Sequence, residues 1–208
     1  KGPFVQLRRA AQWLAGDAIV GLHANQLERT HADVHALTQL AQFHREDLTL
    51  VSQMIRTAIA GLGLATTWEA LQAKGWSEEN LATMQRDWEA VDLAEVFEKG
   101  IVGERVFGEA YFDYMRALAP RQRAASFRGG NASSPRSAAD ILTELVVMPL
   151  WAANSEADEM FYLRHLQTSL DAFRQLQRGT PWPVVSQQLN TNIAGISAVL
   201  SNPLTRYR

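Results

Sequence analysis

Leu50-Val51-Ser52-Gln53-Met54-Ile55-Arg56-Thr57-Ala58-Ile59-Ala60-Gly61-Leu62-Gly63-Leu64 is the stretch on which the fold turns. Taken with Leu48 before it and Trp68 and Leu71 after it, its apolar residues fall on two faces of a helix at about 100° per residue. Leu48, Val51, Ile55, Ile59 and Leu62 make one face, and Leu50, Leu64, Trp68 and Leu71 the other. A helix apolar on two sides is expected at the centre of a helical protein. Gly61 and Gly63 each cost about 1 kcal/mol relative to Ala, which is tolerable where another helix packs closely. Lys74-Gly75 ends the helix.

The same period extends outward in both directions. Phe4, Leu7, Ala11, Leu14, Ala18 and Leu22 share one face of a first helix. His23-Ala24-Asn25-Gln26 interrupts it, and Leu27, Val34, Leu37, Leu40 and Ala41 make the stripe of a second. Residues 4–44 therefore read as a helical hairpin of the size of one tetratricopeptide unit, although no second copy recurs at a fixed period. Downstream, Ser77-Glu78-Glu79-Asn80 supplies an N-cap with acids in the first turn, ahead of Leu81, Met84, Trp88 and Val91. Asp92-Leu93-Ala94-Glu95 has the spacing of a capping box and opens a long helix to about Leu118.

Pro120 to Ser137 changes character, gathering Pro, Gly, Ser and Asn around Arg121, Arg123, Arg128 and Arg136 with no acid among them. It reads as one long, mobile surface loop. Ser137 with Asp140 restarts a helix that Pro149 should end or kink. Ser155 with Asp158 repeats the device for a helix through Leu176, and Thr180-Pro181 opens the last. No alternating stretch is long enough for a strand. The expected fold is all-α, about seven helices in an irregular, tetratricopeptide-like array of hairpins or a bundle, as one domain over residues 1–208.

Composition bounds the function. The formal net charge of −2 comes from 20 basic and 22 acidic residues spread along the chain, without the clustered positive field of a nucleic-acid binder. There is no cysteine, which removes disulfides, thiol nucleophiles and Cys-based metal sites together. No apolar run approaches the roughly 20 residues of a membrane span. The chain begins Lys1-Gly2-Pro3-Phe4 without an initiator Met and ends without a stop signal. Truncation at both ends is therefore expected, the upstream part being a signal peptide, a membrane anchor or neither.

The hairpin, the Leu50–Leu62 segment, Gly103-Glu104-Arg105 on a long helix and Phe161-Tyr162-Leu163-Arg164 together resemble a family of uncharacterised bacterial all-helical proteins. The resemblance implies a mostly helical exported portion behind an N-terminal membrane anchor. That anchor is absent here, so membrane contact would come only through a missing segment, and a cytoplasmic location stays open. The resemblance implies no reaction.

Candidate chemistry is sparse. His31-Ala32-Asp33-Val34-His35 sets two imidazoles at i and i+4, and Glu28-Arg29-Thr30-His31 is a Glu-x-x-His. Position 32 is Ala where a zinc protease carries its base, and no second Glu-x-x-His exists, so neither a metal site nor a cofactor is expected. His44 reads as a core residue, while His23 and His165 show no recognisable partner. The tryptophans at 13, 68, 76, 88, 151 and 182 read as packing residues rather than a carbohydrate platform. No phosphate loop, dinucleotide fingerprint or nucleophile elbow occurs.

Glu104 is the exception. Leu93, Phe97, Ile101, Phe107, Tyr111, Met115 and Leu118 define one helix face with Glu104 at its centre, and Gly100 and Gly108 flank it a turn away. A carboxylate there must be paired, hydrogen-bonded or protonated, with an Arg or His from another helix as the expected partner. Two readings follow. The preferred one is a non-enzymatic interaction or scaffold domain whose hairpins present a groove to a protein or peptide. The alternative is a small-molecule-binding or hydrolytic protein with a polar site between helices at Glu104, Arg105 and His31. An exposed apolar groove would favour the first, and a closed pocket lined by Glu104 the second.

Overall fold

The computed structural model describes residues 3–43, 45–127, 129 and 137–201. Over these the protein is all-α. Seven long helices, α1 (Pro3–His23), α2 (Leu27–Gln42), α3 (Leu50–Ala70), α4 (Glu78–Glu89), α5 (Leu93–Ala117), α8 (Met148–Gln177) and α9 (Trp182–Ser201), are joined by two short ones, α6 (Pro120–Phe127) and α7 (Ala138–Leu142). Among the described residues no helix is long and apolar enough to cross a membrane. The chain divides into two compact units, Lys1–Ile101 and Val102–Arg208.

In the first unit, α1 and α2 form the expected hairpin, turning at Asn25 with φ of 55°, a left-handed conformation that Asn tolerates better than most residues. The two helices cross closely because Gly21 is bare. A Cβ at position 21 would lie 2.6 Å from the Thr30 hydroxyl oxygen, and that hydroxyl donates to the Ala18 carbonyl at 3.2 Å. α3 packs on both α1 and α2. The core joins Ala11, Ala15, Leu37, Ala41, Ile59 and Ala60 to a ring of half-buried leucines and Trp88. A second cluster of Val34, Ala70 and Met84 holds α4 against the hairpin, with Trp76 beside it. The Thr49 hydroxyl caps α3 and that of Ser77 caps α4, and Asp92 accepts the Glu95 amide at 2.9 Å as α5 opens.

The second unit departs from expectation in three places. Pro120–Phe127, read as the first half of a loop, is the helix α6, with Arg123, Ala124 and Ala125 buried. Arg128 and residues 130–136, like His44, lie outside the described residues. Ser137 and Asp140 do form a capping box, but Pro149 neither ends nor kinks the helix in the usual way. Residues Thr143–Val147 take one π-helical turn, in which the Met148 amide donates to the Thr143 carbonyl. Widening the turn absorbs the missing proline donor. Consequently α8 runs unbroken through Ser155 and Asp158, which start no new helix. Ser155 is buried, and its hydroxyl donates back to the Ala152 carbonyl at 3.0 Å.

Candidate docking face and the polar sites

α3 turns polar residues inward alongside its core residues Ile59 and Ala60. Its buried residues include Ser52, Gln53, Arg56, Thr66 and Thr67, while Val51, Met54, Ala58, Gly61, Leu64, Ala65, Trp68 and Leu71 are exposed. Met54 is 58% and Trp68 67% accessible. The helix packs on both α1 and α2, but the face with Leu64, Trp68 and Leu71 is exposed rather than covered. α1 and α2 cover one side, Gly100 on α5 closes on Leu50 and Gln53, and on the remaining face Val51, Met54, Leu64, Trp68 and Leu71 are exposed.

Each of these buried polar side chains has a hydrogen-bond partner. Arg56, 3% exposed, donates from Nε to the Ala41 carbonyl at 2.7 Å and from a terminal nitrogen to Gln53 Oε1 at 2.9 Å. Burial pushes its guanidinium below the ordinary value, aided by nearby Arg45. The Gln53 amide donates to the Asp47 carbonyl, and the Ser52 hydroxyl donates to the Asp47 carboxylate at 2.6 Å. Thr66 and Thr67 donate to the carbonyls of Leu62 and Gly63 at 2.9 and 2.8 Å, and Trp88 Nε1 donates to the Thr67 hydroxyl at 3.1 Å. The Arg56 and Thr67 bonds tie α3 to the end of α2 and to α4.

The exposed residues form a stripe. Val51, Met54, Ala58, Gly61, Ala65 and Trp68 follow one another at alternating steps of three and four, the spacing by which one helix faces another. An open groove of 460 Å³ lies beside its C-terminal half, lined by Gly61, Leu64, Ala65, Thr67, Trp68 and Leu71, with Glu69 the one charged residue. A Cβ at Gly61 would meet nothing within 4 Å. Trp13 on α1, 80% exposed, lies with Gly16 and Val20 along a further cleft of 380 Å³. Trp13, Trp68 and Trp182 are thus surface residues, contrary to the packing role expected of them, whereas Trp76, Trp88 and Trp151 pack. In the second unit Leu142, Leu145 and Leu150 are also exposed, but there the π turn interrupts the helical repeat.

The polar candidates sit differently. Glu104 is half-buried, and its partner is a phenol rather than the expected Arg or His. The Tyr162 hydroxyl lies 3.1 Å from the Glu104 carbonyl and 3.4 Å from its Oε1. Burial pushes the Tyr162 phenol up to about 12, reinforced by the Glu104 charge. The bare helix surface at Gly108 is filled by the Tyr162 ring. Arg105 donates to Gln167 Oε1 at 2.7 Å. On the face read as apolar, Ile101 and Met115 are buried but Phe107 and Tyr111 are exposed.

His31 and His35 do not converge. His35 Nδ1 pairs with Asp87 on α4 at 2.6 Å, whereas His31 is half-buried with Nε2 turned inward. Among the described residues no group of three or more His, Asp or Glu is placed to hold a metal. His23 is exposed, and His165, for which the sequence offered no partner, meets Asn192 Oδ1 at 2.6 Å and the Phe161 ring edge-on.

No family model, curated protein or solved structure matches this chain.

Proposed function

We propose that the protein is a non-enzymatic docking module that takes an apolar helix of another polypeptide on the exposed face of α3. One observation carries the reading: α3 buries its polar residues and exposes a continuous apolar stripe. Burying apolar area is worth about 25 cal/mol per Å², so a helix that turns this face to water forgoes stability that an inward register would collect. A contiguous apolar surface of this kind is expected where a partner binds. The heptad-like spacing and the small residues at Ala58, Gly61 and Ala65 fit the ridge of a helix more closely than an extended strand or a flat ligand. The hairpin of α1 and α2 supports α3 from its other side.

At Glu104, by contrast, the bare helix surface at Gly108 is taken by the Tyr162 ring of α8.

The test is titration calorimetry of dilute protein with an amphipathic helical peptide bearing one Leu/Ala face. Saturable binding with a negative heat-capacity change, lost in an Ala58→Glu/Ala65→Glu variant of unchanged helicity, is expected. Absence of binding, or binding that the double substitution leaves intact, overturns the reading.

A further inference from the structure

A narrow recess of 40 Å³ lies in the first unit where the end of α2, the middle of α3 and the start of α5 come together. Its charged lining is Arg45, Arg56, Asp92, Glu95 and Lys99. Arg56 is the one of these five that is buried; Arg45 and Asp92 are exposed, and Glu95 and Lys99 half-buried. The other four are already engaged. Lys99 pairs with Glu95 at 2.8 Å, the exposed Glu46 reaches Arg45 Nε at 3.2 Å and Lys99 at 4.0 Å, and an Asp92 oxygen accepts the Glu95 amide at 2.9 Å. Arg56 has no counter-ion. Its bonds to the Ala41 carbonyl and to Gln53 Oε1 use two of the five N–H groups of a guanidinium. Both acceptors are neutral, and among the described residues no carboxylate pairs with it. Burial and the neighbouring Arg45 both oppose its charge, with Glu46 offsetting them only in part. We infer that the recess binds a small monovalent anion, of chloride size, against the Arg56 guanidinium.

Size and charge select that class. A single water needs ~10–15 Å³ of such volume, so a recess of 40 Å³ takes a halide or a formate-sized ion and excludes a phosphate ester or a nucleotide. The lining sets three cations against two carboxylates, which leaves one positive charge over. A monoanion balances it, whereas a larger oxyanion would be driven against Asp92 and Glu95. An anion beside Arg56 also offsets the repulsion from Arg45, since an opposite charge within a few ångströms favours the charged form of each guanidinium. Water could accept the remaining N–H groups, but it leaves a buried cation without a compensating charge, which is the costly arrangement.

The test uses the full chain at fixed ionic strength, exchanging sodium chloride for sodium gluconate, whose anion is too large for the recess. Chloride should raise the melting temperature saturably, as a ligand of the folded state does. The chloride NMR line should be broadened by the protein, and formate, which fits the recess, should narrow it again where gluconate does not. Both effects should vanish in Arg56→Met. If that variant lacks the helical circular dichroism spectrum of the wild type, Arg45→Gln at the exposed rim decides instead. Removing one of the two converging guanidinium groups there should weaken chloride binding several-fold. Equal melting in the two salts, a chloride line that the protein leaves sharp, or a chloride dependence unchanged in the folded variants would each overturn the inference, water alone then filling the recess. These measurements do not involve the exposed face of α3, so their outcome is independent of the docking reading.

Discussion

The ring of Tyr162 on α8 occupies the place that a side chain at position 108 on α5 would take. A Cβ at Gly108 would lie 2.9 Å from Tyr162 Cζ and 3.0 Å from its hydroxyl oxygen, inside van der Waals contact. Position 108 is glycine because the helices meet there through one backbone and one aromatic face. Phe112, a turn further on, continues the contact with its ring 6.1 Å from that of Tyr162 and 6.3 Å from that of Trp151.

Gly108→Ala should therefore destabilise the second unit, although Ala is the better helix former by about 1 kcal/mol. The ring cannot swing aside without losing its bond to the Glu104 carbonyl, so overpacking should outweigh propensity by about 1–3 kcal/mol. Urea denaturation of the two proteins measures the difference, and an equal or more stable variant would show that the ring yields freely.

The Tyr162 phenol, pushed up to about 12 by burial and by Glu104, gives an alkaline signature. Its folded value lies above the unfolded one near 10. The stability it contributes is complete below pH 10 and is lost as pH rises toward 12. In a spectrophotometric titration of the four tyrosines, the last phenolate to appear should be absent from Tyr162→Phe, and Glu104→Gln should bring it to lower pH. Because the Glu104 carboxylate meets its partner only at 3.4 Å, Glu104→Gln should cost less than about 1 kcal/mol at pH 7. A buried ion pair would have cost several times more.

What the sequence made legible follows from how local each signal is. The caps at Ser77, Asp92 and Ser137 announce their helices because donor and acceptor lie within one turn. Glu104 between Gly100 and Gly108 is visible as an anomaly, but its partner Tyr162 lies 58 residues away, and no single-chain pattern carries that pairing. The periodicity of α3 reveals two apolar faces without saying which one the fold covers. The outcome was decided by Arg56, Gln53 and Ser52, whose hydrogen bonds to the Asp47 and Ala41 backbone and side chain could be read only once α2 and α3 were in place. Ser155 misled for a related reason. A serine three residues before an acid caps a helix only if the chain is free to begin one there, and α8 already passes through it.

Asp33 should be a source of acid-dependent stability in the first hairpin. Burial raises its carboxyl above the usual range, and the neighbouring Asp17 carboxylate, itself lowered by its bond to Arg29, raises it further. A raised folded value means that the favourable contribution is present at low pH and is lost as pH rises through the folded value. One carboxylate oxygen of Asp33 is buried without a hydrogen-bonding partner among the described residues. Asp33→Asn should then raise the melting temperature at pH 7 and leave it nearly unchanged at pH 3. A variant that melts lower at pH 7 would mean that the charge is used in the fold.

Arg123 shows why a count of basic residues misjudged its segment, and it is the most demanding stability test. Read as one of four arginines in a mobile loop, it is instead 5% exposed and closes the C-terminus of α5. Its Nε donates to the Met115 carbonyl at 2.7 Å, and one terminal nitrogen reaches the carbonyls of Arg116 and Leu118 at 3.0 and 2.8 Å. The other reaches the Met148 carbonyl at 3.2 Å. The guanidinium carbon lies 5.4 Å from the centre of the Trp151 ring. The last carbonyls of a helix lack intrahelical donors and carry partial negative charge, so a buried cation there satisfies both needs at once. Only a planar fork reaches four carbonyls while stacking on an indole. Arg123→Lys keeps the charge but can serve at most three acceptors, without the stacking, and should cost on the order of 2 kcal/mol. Arg123→Met leaves the carbonyls bare and should cost more, on the order of 3–5 kcal/mol. Denaturation of wild type, Arg123→Lys and Arg123→Met should rank in that order of falling stability. If Arg123→Lys equals wild type, charge alone holds the end of α5, and the fork geometry is incidental.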